Sequence, residues 1–217
     1  MSIINEISET TTLFIKQSSY LIGQHRMKTK EMFCSLKGNA KIILLTLPFW
    51  TIPYAWITTY LPLYMQKKEL TKVQIGFVVT INLIAQLIGL IIGGYFTDRW
   101  GRKKTLIIFE IVCWIPAWLI LIFADNILLF GIFYFLLGFA WIDIPAESCL
   151  LIEGTKENER PSLFAFLSIV FVGAGLGMPI AGMFIEVFQL INGFRIMCII
   201  SIFAFFFGIL LRWKYLK

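Results

Sequence analysis

Hydrophobic and polar positions alternate along this chain on the scale of whole membrane crossings, not of single turns. After a mixed, polar stretch over residues 1 to about 40, six long apolar segments follow, at 42–66, 73–97, 105–124, 126–152, 161–185 and 190–211. The first, second and fifth contain no charged residue. Glu110 breaks the third, Asp143 and Glu147 the fourth, and Arg195 stands near the start of the sixth. An α-helix rises about 1.5 Å per residue, so about 20 apolar residues cross a hydrocarbon core of about 30 Å. A transmembrane barrel would instead show segments of about ten residues with strict alternation. The pattern predicts an all-α integral membrane protein with six transmembrane helices over residues 41–217, preceded by a cytosolic tail over 1–40.

Composition agrees. Residues of the AVILMFWYC set make up 59% of the 217, charged residues 15%, and the mean hydropathy is +0.82. Soluble domains are nearer half apolar and a quarter charged, and a chain this short has no interior able to hide so much apolar surface. Lipid is the implied solvent and first partner. The net charge of +6 does not signal nucleic acid, because the cations lie in the gaps between apolar segments and on no single face. In the tail no apolar run follows a basic start, which excludes a cleavable signal peptide. Leu13, Phe14, Leu21 and Ile22 offer the stripe of an interfacial helix, as the alternative to a plain tail. Cys34, Cys113, Cys149 and Cys198 form no metal or redox spacing, and His25 stands alone. No metal, cofactor or enzymatic triad is expected; the cysteines read as packing residues.

Cation placement sets the orientation. With the N-terminus in the cytoplasm, fifteen Lys and Arg fall on the inner side against four outside, at Lys67, Lys68, Lys72 and Arg195. Arg212, Lys214 and Lys217 belong to the inner set. The rule that cytoplasmic loops collect cations then puts both termini inside, with the cell membrane as the expected location.

Between the second and third segments the chain reads Gly94-Tyr-Phe-Thr-Asp98-Arg99-Trp-Gly101-Arg102-Lys103-Lys104. This resembles G-x-x-x-D-R-x-G-R-[RK], the cytoplasmic signature of the major facilitator superfamily of secondary transporters, and it stands in the same place, directly after the second helix. Glu153 and Arg160 match the Glu-x6-Arg spacing that many of its members carry after the fourth helix. The resemblance covers residues 40–217 and implies the N-terminal six-helix half of a twelve-helix transporter. It implies a solute carried by alternating access, with protons as a candidate coupling ion and a second six-helix half or a homodimer partner as complement. The rival reading is a non-transporting scaffold or receptor, or an inactive remnant of a half-transporter.

The residues of that signature have their own logic. Gly101 permits a tight turn. Asp98 lies at a helix C-terminus, where the dipole disfavours an anion by about 0.3–1 kcal/mol, so it is expected to have a partner. Pairs among Asp98, Arg102, Glu153 and Arg160, with Arg99 and Lys103 beside them, would form a charge latch on the inner gate. Residues 173–182, GAGLGMPIAG, resemble the superfamily's antiporter motif, but Met178 interrupts it; close helix packing explains these small residues equally well.

Acids inside a membrane are costly, about 2.5–3.5 kcal/mol at a helix centre. Asp143 and Glu147, four apart, share one helix face. They are not expected to ionise together, so at least one should hold its proton. Asp143 is the candidate for proton or substrate, with Glu147 as relay or gate; in the alternative Glu147 joins the inner charge cluster and Asp143 pairs with a neighbouring helix. Glu110 is a weaker candidate, expected to make a structural bond, because the resemblance puts its helix at the periphery. Trp50 and Tyr54 in the first helix and Asn82 and Gln86 in the second are candidates for solute contact or for ordinary packing. Trp56 and Tyr60 read as interfacial anchors.

Overall fold

The computed structural model describes residues 38–217, without the side chain of Ser162. The tail expectation, with Leu13, Phe14, Leu21, Ile22, His25 and Cys34, lies outside the described residues, save that helix begins already at Asn39. Six spans are long and apolar enough to cross a membrane: α1 Asn39–Lys67, α2 Lys72–Trp100, α3 Arg102–Phe123, α4 Ile127–Glu153, α5 Glu157–Phe188 and α6 Leu190–Tyr215. No strand occurs among the described residues.

Local chemistry explains where the helices start and bend. Thr71 and Gln74 form a reciprocal capping box at the start of α2, satisfying two otherwise orphaned donors. Asn126 caps α4 by accepting from the Leu129 N–H at 3.0 Å. Between α2 and α3 stands Gly101 alone, at φ 85°, a left-handed conformation that glycine adopts without strain. The expected loop signature is therefore not a loop. Asp98 and Arg99 form the last turn of α2, and Arg102 and Lys103 the first turn of α3. Likewise α6 continues past Leu211 through Arg212 to Tyr215.

Two spans leave the regular α-helix at charged positions. In α3, Glu110–Trp114 is a π-helical turn, immediately before Pro116. In α4, Ala140–Asp143 is a tight 3-10 turn, immediately before Pro145. Proline has no N–H and its ring crowds the carbonyl four residues earlier, here Val112 and Trp141. Each helix rewinds just ahead of its proline, and such turns recur at functional positions.

α2 packs lengthwise on α4, and α6 packs on α1, α3 and α5. The α2–α4 seam is glycine-made. A Cβ on Gly93 would stand 2.4 Å from the Ile142 carbonyl oxygen, and one on Gly89 2.9 Å from that of Phe139. Aromatic rings fill the interior: Tyr64 of α1 stacks on Phe194 of α6 at 4.2 Å, and Trp118 of α3 meets Phe205 of α6 and Phe133 of α4. α2 and α5 are the least buried spans, presenting Leu87 and Ile91, and Val172 and Leu176, outward.

The seam gives a clean comparison between neighbours. Gly93→Ala forces backbone against backbone and should cost about 1–3 kcal/mol, the usual range for overpacking. Gly94→Ala meets nothing within 4 Å and should be neutral or stabilising by up to about 1 kcal/mol through helix propensity. Thermal unfolding of the two detergent-solubilised variants measures the difference.

Candidate functional site

The π turn of α3 and the rewound turn of α4 bring three carboxyls toward one cation. That cation is Arg212, near the C-terminal end of α6 and only 1% exposed. Its Nη1 donates to Glu110 Oε1 of α3 and to Glu147 Oε2 of α4 at 3.1 Å. Its Nε donates to Thr46 Oγ1 of α1 at 2.9 Å, and its guanidinium lies 3.9 Å from the centre of the Trp50 ring. Thr46 is free to accept because its own hydroxyl donates to the Ile42 carbonyl at 2.9 Å. One side chain thus ties four spans. Arginine suits this place because its planar fork serves several acceptors at fixed angles while its face stacks on an aromatic ring.

Glu110 is fully buried. Asp143 is 4% exposed and accepts from Trp114 Nε1 at 3.0 Å; among the described residues it has no ion-pair partner. These groups border a cavity of about 410 Å³, walled by Trp50, Tyr54, Trp114, Trp141 and Phe171, with Glu110, Asp143, Glu147 and Arg212 at its polar end. Three carboxyls against one guanidinium leave an excess of acid in a region of low dielectric, where charge interacts strongly. Such a site takes up positive charge. Among the described residues no group of three His, Cys, Asp or Glu side chains is arranged to hold a metal ion.

Several expectations change. Glu110 is no peripheral residue: the π turn aims it at the bundle centre, and α3 packs on α4 and α6. Trp50 and Tyr54 do line the cavity. Asn82 does not; its Nδ2 donates to the Tyr134 carbonyl at 2.9 Å, because the glycine seam turns this face of α2 onto α4. Gln86, one turn on, is half-buried and does not border the cavity either. Trp56 and Tyr60 are interhelical ties more than interfacial anchors, donating to Ser201 Oγ at 3.2 Å and to the Met178 carbonyl at 3.3 Å.

The four-member latch is not assembled. Arg102 pairs with Glu153, but Arg160 turns to Glu157 at 3.8 Å, within its own first turn. Asp98 is exposed and has no ion pair among the described residues. Arg99 donates to Tyr95 one turn back. Lys103 Nζ donates to the Leu216 carbonyl at 2.5 Å. Arg102 and Glu153 are both more than a third exposed, and pairs of that kind contribute about 0–1 kcal/mol.

Sequence reasoning missed Arg212, which the cation count treats as an inner anchor, along with Trp114 and Trp141. A signal was present: three acids inside apolar segments, with Arg195 the one in-segment cation and at the opposite end of α6, require a counter-charge nearby.

A six-helix bundle of membrane-spanning length with a charged cavity defines the class: a polytopic membrane protein. The chain belongs to the Major Facilitator Superfamily, whose sequence profile matches residues 40–216. Among its relatives are proteins named as uncharacterized MFS-type transporters. One named YcaD from Salmonella arizonae is 26% identical over 148 residues, covering 63% of this chain and 36% of the relative. Another YcaD, from Escherichia fergusonii, is 27% identical over 138 residues, covering 58% and 34%. A Yersinia pestis protein is 26% identical over 145 residues, covering 65% and 37%. The matched part is thus about a third of each relative's length. No solved structure matches.

The buried pair makes a stability prediction. Arg212→Met strands Glu110 and Glu147, and removing one partner of a buried ion pair costs about 3–5 kcal/mol. Arg212→Met combined with Glu110→Met should recover the part of that loss due to Glu110, as apolar replacement of a whole buried pair is near neutral, while the part due to the stranded Glu147 remains. Thermal unfolding of both variants, with the double-mutant cycle closed by Glu110→Met, measures the coupling.

Proposed function

We propose that this chain is a six-helix half of a secondary transporter that moves a small solute by alternating access, with protons exchanging at the Asp143–Glu147–Glu110 cluster. The observation that carries the reading is the excess of buried carboxyl over guanidinium on a cavity, in a member of a transporter superfamily. In the low-dielectric interior, ionised acids there demand neutralisation, and protons are the smallest available means. Arg212 fixes Glu110 and Glu147, leaving Asp143 as the exchanging group and Glu147 as relay. The complement across the cavity is a second six-helix half or a second copy of this chain, since alternating access rocks one bundle against another around a midplane site.

Orientation with both ends in the cytoplasm, in the cell membrane, is part of the proposal. The cation bias supports it, as does the contact between the two ends of the bundle: Asn39 Nδ2 donates to the Lys217 carbonyl at 3.1 Å, and the Lys217 N–H to Asn39 Oδ1 at 2.9 Å.

Proteoliposomes enclosing a pH-sensitive dye test the coupling. A solute panel should evoke proton movement with the wild-type chain and none with Asp143→Asn; unchanged proton movement in Asp143→Asn ends the proposal for that residue.

The cytoplasmic charges are proposed to gate, with the Arg102–Glu153 pair holding α3 to α4 and Asp98, Gly94 and Gly101 placing α2's end. Asp98→Asn and Arg102→Ala should abolish uptake while membrane insertion, read by fractionation, stays at the wild-type level. Uptake that survives both changes removes gating from these residues.

A further inference from the structure

We infer that the cavity takes an organic monocation with an aromatic or apolar body, its positive charge docking on Asp143. This goes beyond the transport proposal to the chemical class of the ligand, and rests on that proposal only for what becomes of the ligand once bound.

Three groups of observations lead to it. The first is the state of the cation. Arg212 already serves Thr46, Glu110 and Glu147 through Nε and Nη1, and its face is covered by Trp50. Its Nη2 has no hydrogen-bond partner among the described residues but is buried, so an anionic ligand in the cavity finds no exposed N–H of that nitrogen to meet. Asp143 is in the opposite condition. Its one hydrogen bond comes from the Trp114 indole, a neutral donor.

The groups facing Asp143 can be named element by element. α1 presents Tyr54, α3 presents Glu110 and Trp114 and, close by, Cys113; α4 presents Glu147 and α6 Arg212. With Arg212 engaged by two acids, the surroundings of Asp143 are short of positive charge. A proton or a bound cation fills that need, and the two exclude one another.

The walls supply the second argument. Tyr54, Trp114, Trp141 and Phe171 turn aromatic surface to the cavity, and a cation against such faces is attracted by the ring quadrupole, more strongly when desolvated. Arg212 over Trp50 shows that pairing already present in the same site.

The third argument is the polarity of the wall. Its two threonine hydroxyls donate their hydrogens to their own helix, Thr51 Oγ1 to the Leu47 carbonyl at 3.3 Å and Thr58 Oγ1 to the Tyr54 carbonyl at 2.5 Å, so they are left only to accept. Outside the charged cluster rings dominate the lining, and a ligand with many hydroxyls would set most of them against aromatic faces, where unpaired buried polar groups are costly. A cation with an apolar body asks for one carboxylate and several ring faces, as found here.

Two probes of matched shape and opposite charge, tetraphenylphosphonium and tetraphenylborate, decide the matter. Equilibrium dialysis against the full chain in detergent micelles measures the displaceable part of the binding of each. Tetraphenylphosphonium should bind saturably, and more tightly at mildly alkaline than at mildly acidic pH, because ionised Asp143 is the docking group. Asp143→Asn should weaken it by about tenfold or more, a single lost charge contact, and Asp143→Glu should restore most of it. Tetraphenylborate should show no saturable component. Equal or preferred binding of tetraphenylborate, or an unchanged affinity in a folded Asp143→Asn, overturns the inference. Should Asp143→Asn fail to fold, the comparison of the two probes on the wild-type chain still decides. Equilibrium binding needs no flux, so a chain that binds the cation yet moves no protons keeps this inference and loses the transport reading; the converse result does the reverse.

Discussion

Everything at the centre of this bundle is organised by one desolvated guanidinium. In water an arginine and a glutamate gain little from meeting. Inside a membrane bundle the alternatives are worse: an acid there must be paired, protonated or in contact with a wet cavity. Arg212 answers Glu110 and Glu147 together through Nη1, its Nε reaches Thr46 and its face lies on Trp50, while Nη2 stays buried without a hydrogen-bond partner among the described residues. α1, α3, α4 and α6 are therefore held by a contact that tolerates little displacement, whereas α2 and α5 join the bundle through apolar packing and uncharged hydrogen bonds such as Asn82 to the Tyr134 carbonyl and Tyr60 to the Met178 carbonyl. Gly208 fits the same scheme, since a Cβ there would stand 2.5 Å from the Trp50 ring on which the guanidinium rests.

The acids reach the arginine because their helices are irregular at two places, and both irregularities come from the sequence. Pro116 and Pro145 each remove one backbone hydrogen bond, and the turn before each rewinds, widened in α3 and tightened in α4. A regular helix would advance each residue by the same angle and leave Glu110 and Asp143 at other azimuths. Proline chemistry thus becomes side-chain direction, and side-chain direction becomes a cavity with three carboxyls at one end.

The six spans were legible from apolar length alone, because lipid imposes that length on any helix. Asp143, Glu147, Trp50 and Tyr54 were legible as candidates, since acids and aromatics within apolar runs need an explanation. Helix azimuth was not legible. Asn82 and Gln86 look as polar as Tyr54, yet the glycine seam that turns them from the cavity depends on which helix lies against α2. Arg212 was hidden for a different reason: at the edge of an apolar segment, an arginine that anchors and one that folds inward read alike. The latch was over-read because spacing places charges on one membrane side without saying which of them meet: Arg160 pairs with Glu157 and Asp98 with no charged group among the described residues.

The buried cluster and the charged contacts at the first turn of α3 share two stiff connections. α4 carries Glu147 at the cluster and Glu153 at the Arg102 pair, six residues or about 9 Å apart along the helix. At the end of α6, Arg212 sits four residues before Leu216, whose carbonyl receives Lys103 from α3. The Arg102 and Lys103 contacts both meet the first turn of α3, the helix that also supplies Glu110. A shift of α3 against α4 and α6 therefore acts on the buried ion pairs and on the half-exposed surface contacts together. The two sets differ in strength, a desolvated guanidinium against pairs worth about 0–1 kcal/mol. A displacement of α3 therefore breaks the surface contacts at less cost than the buried ion pairs.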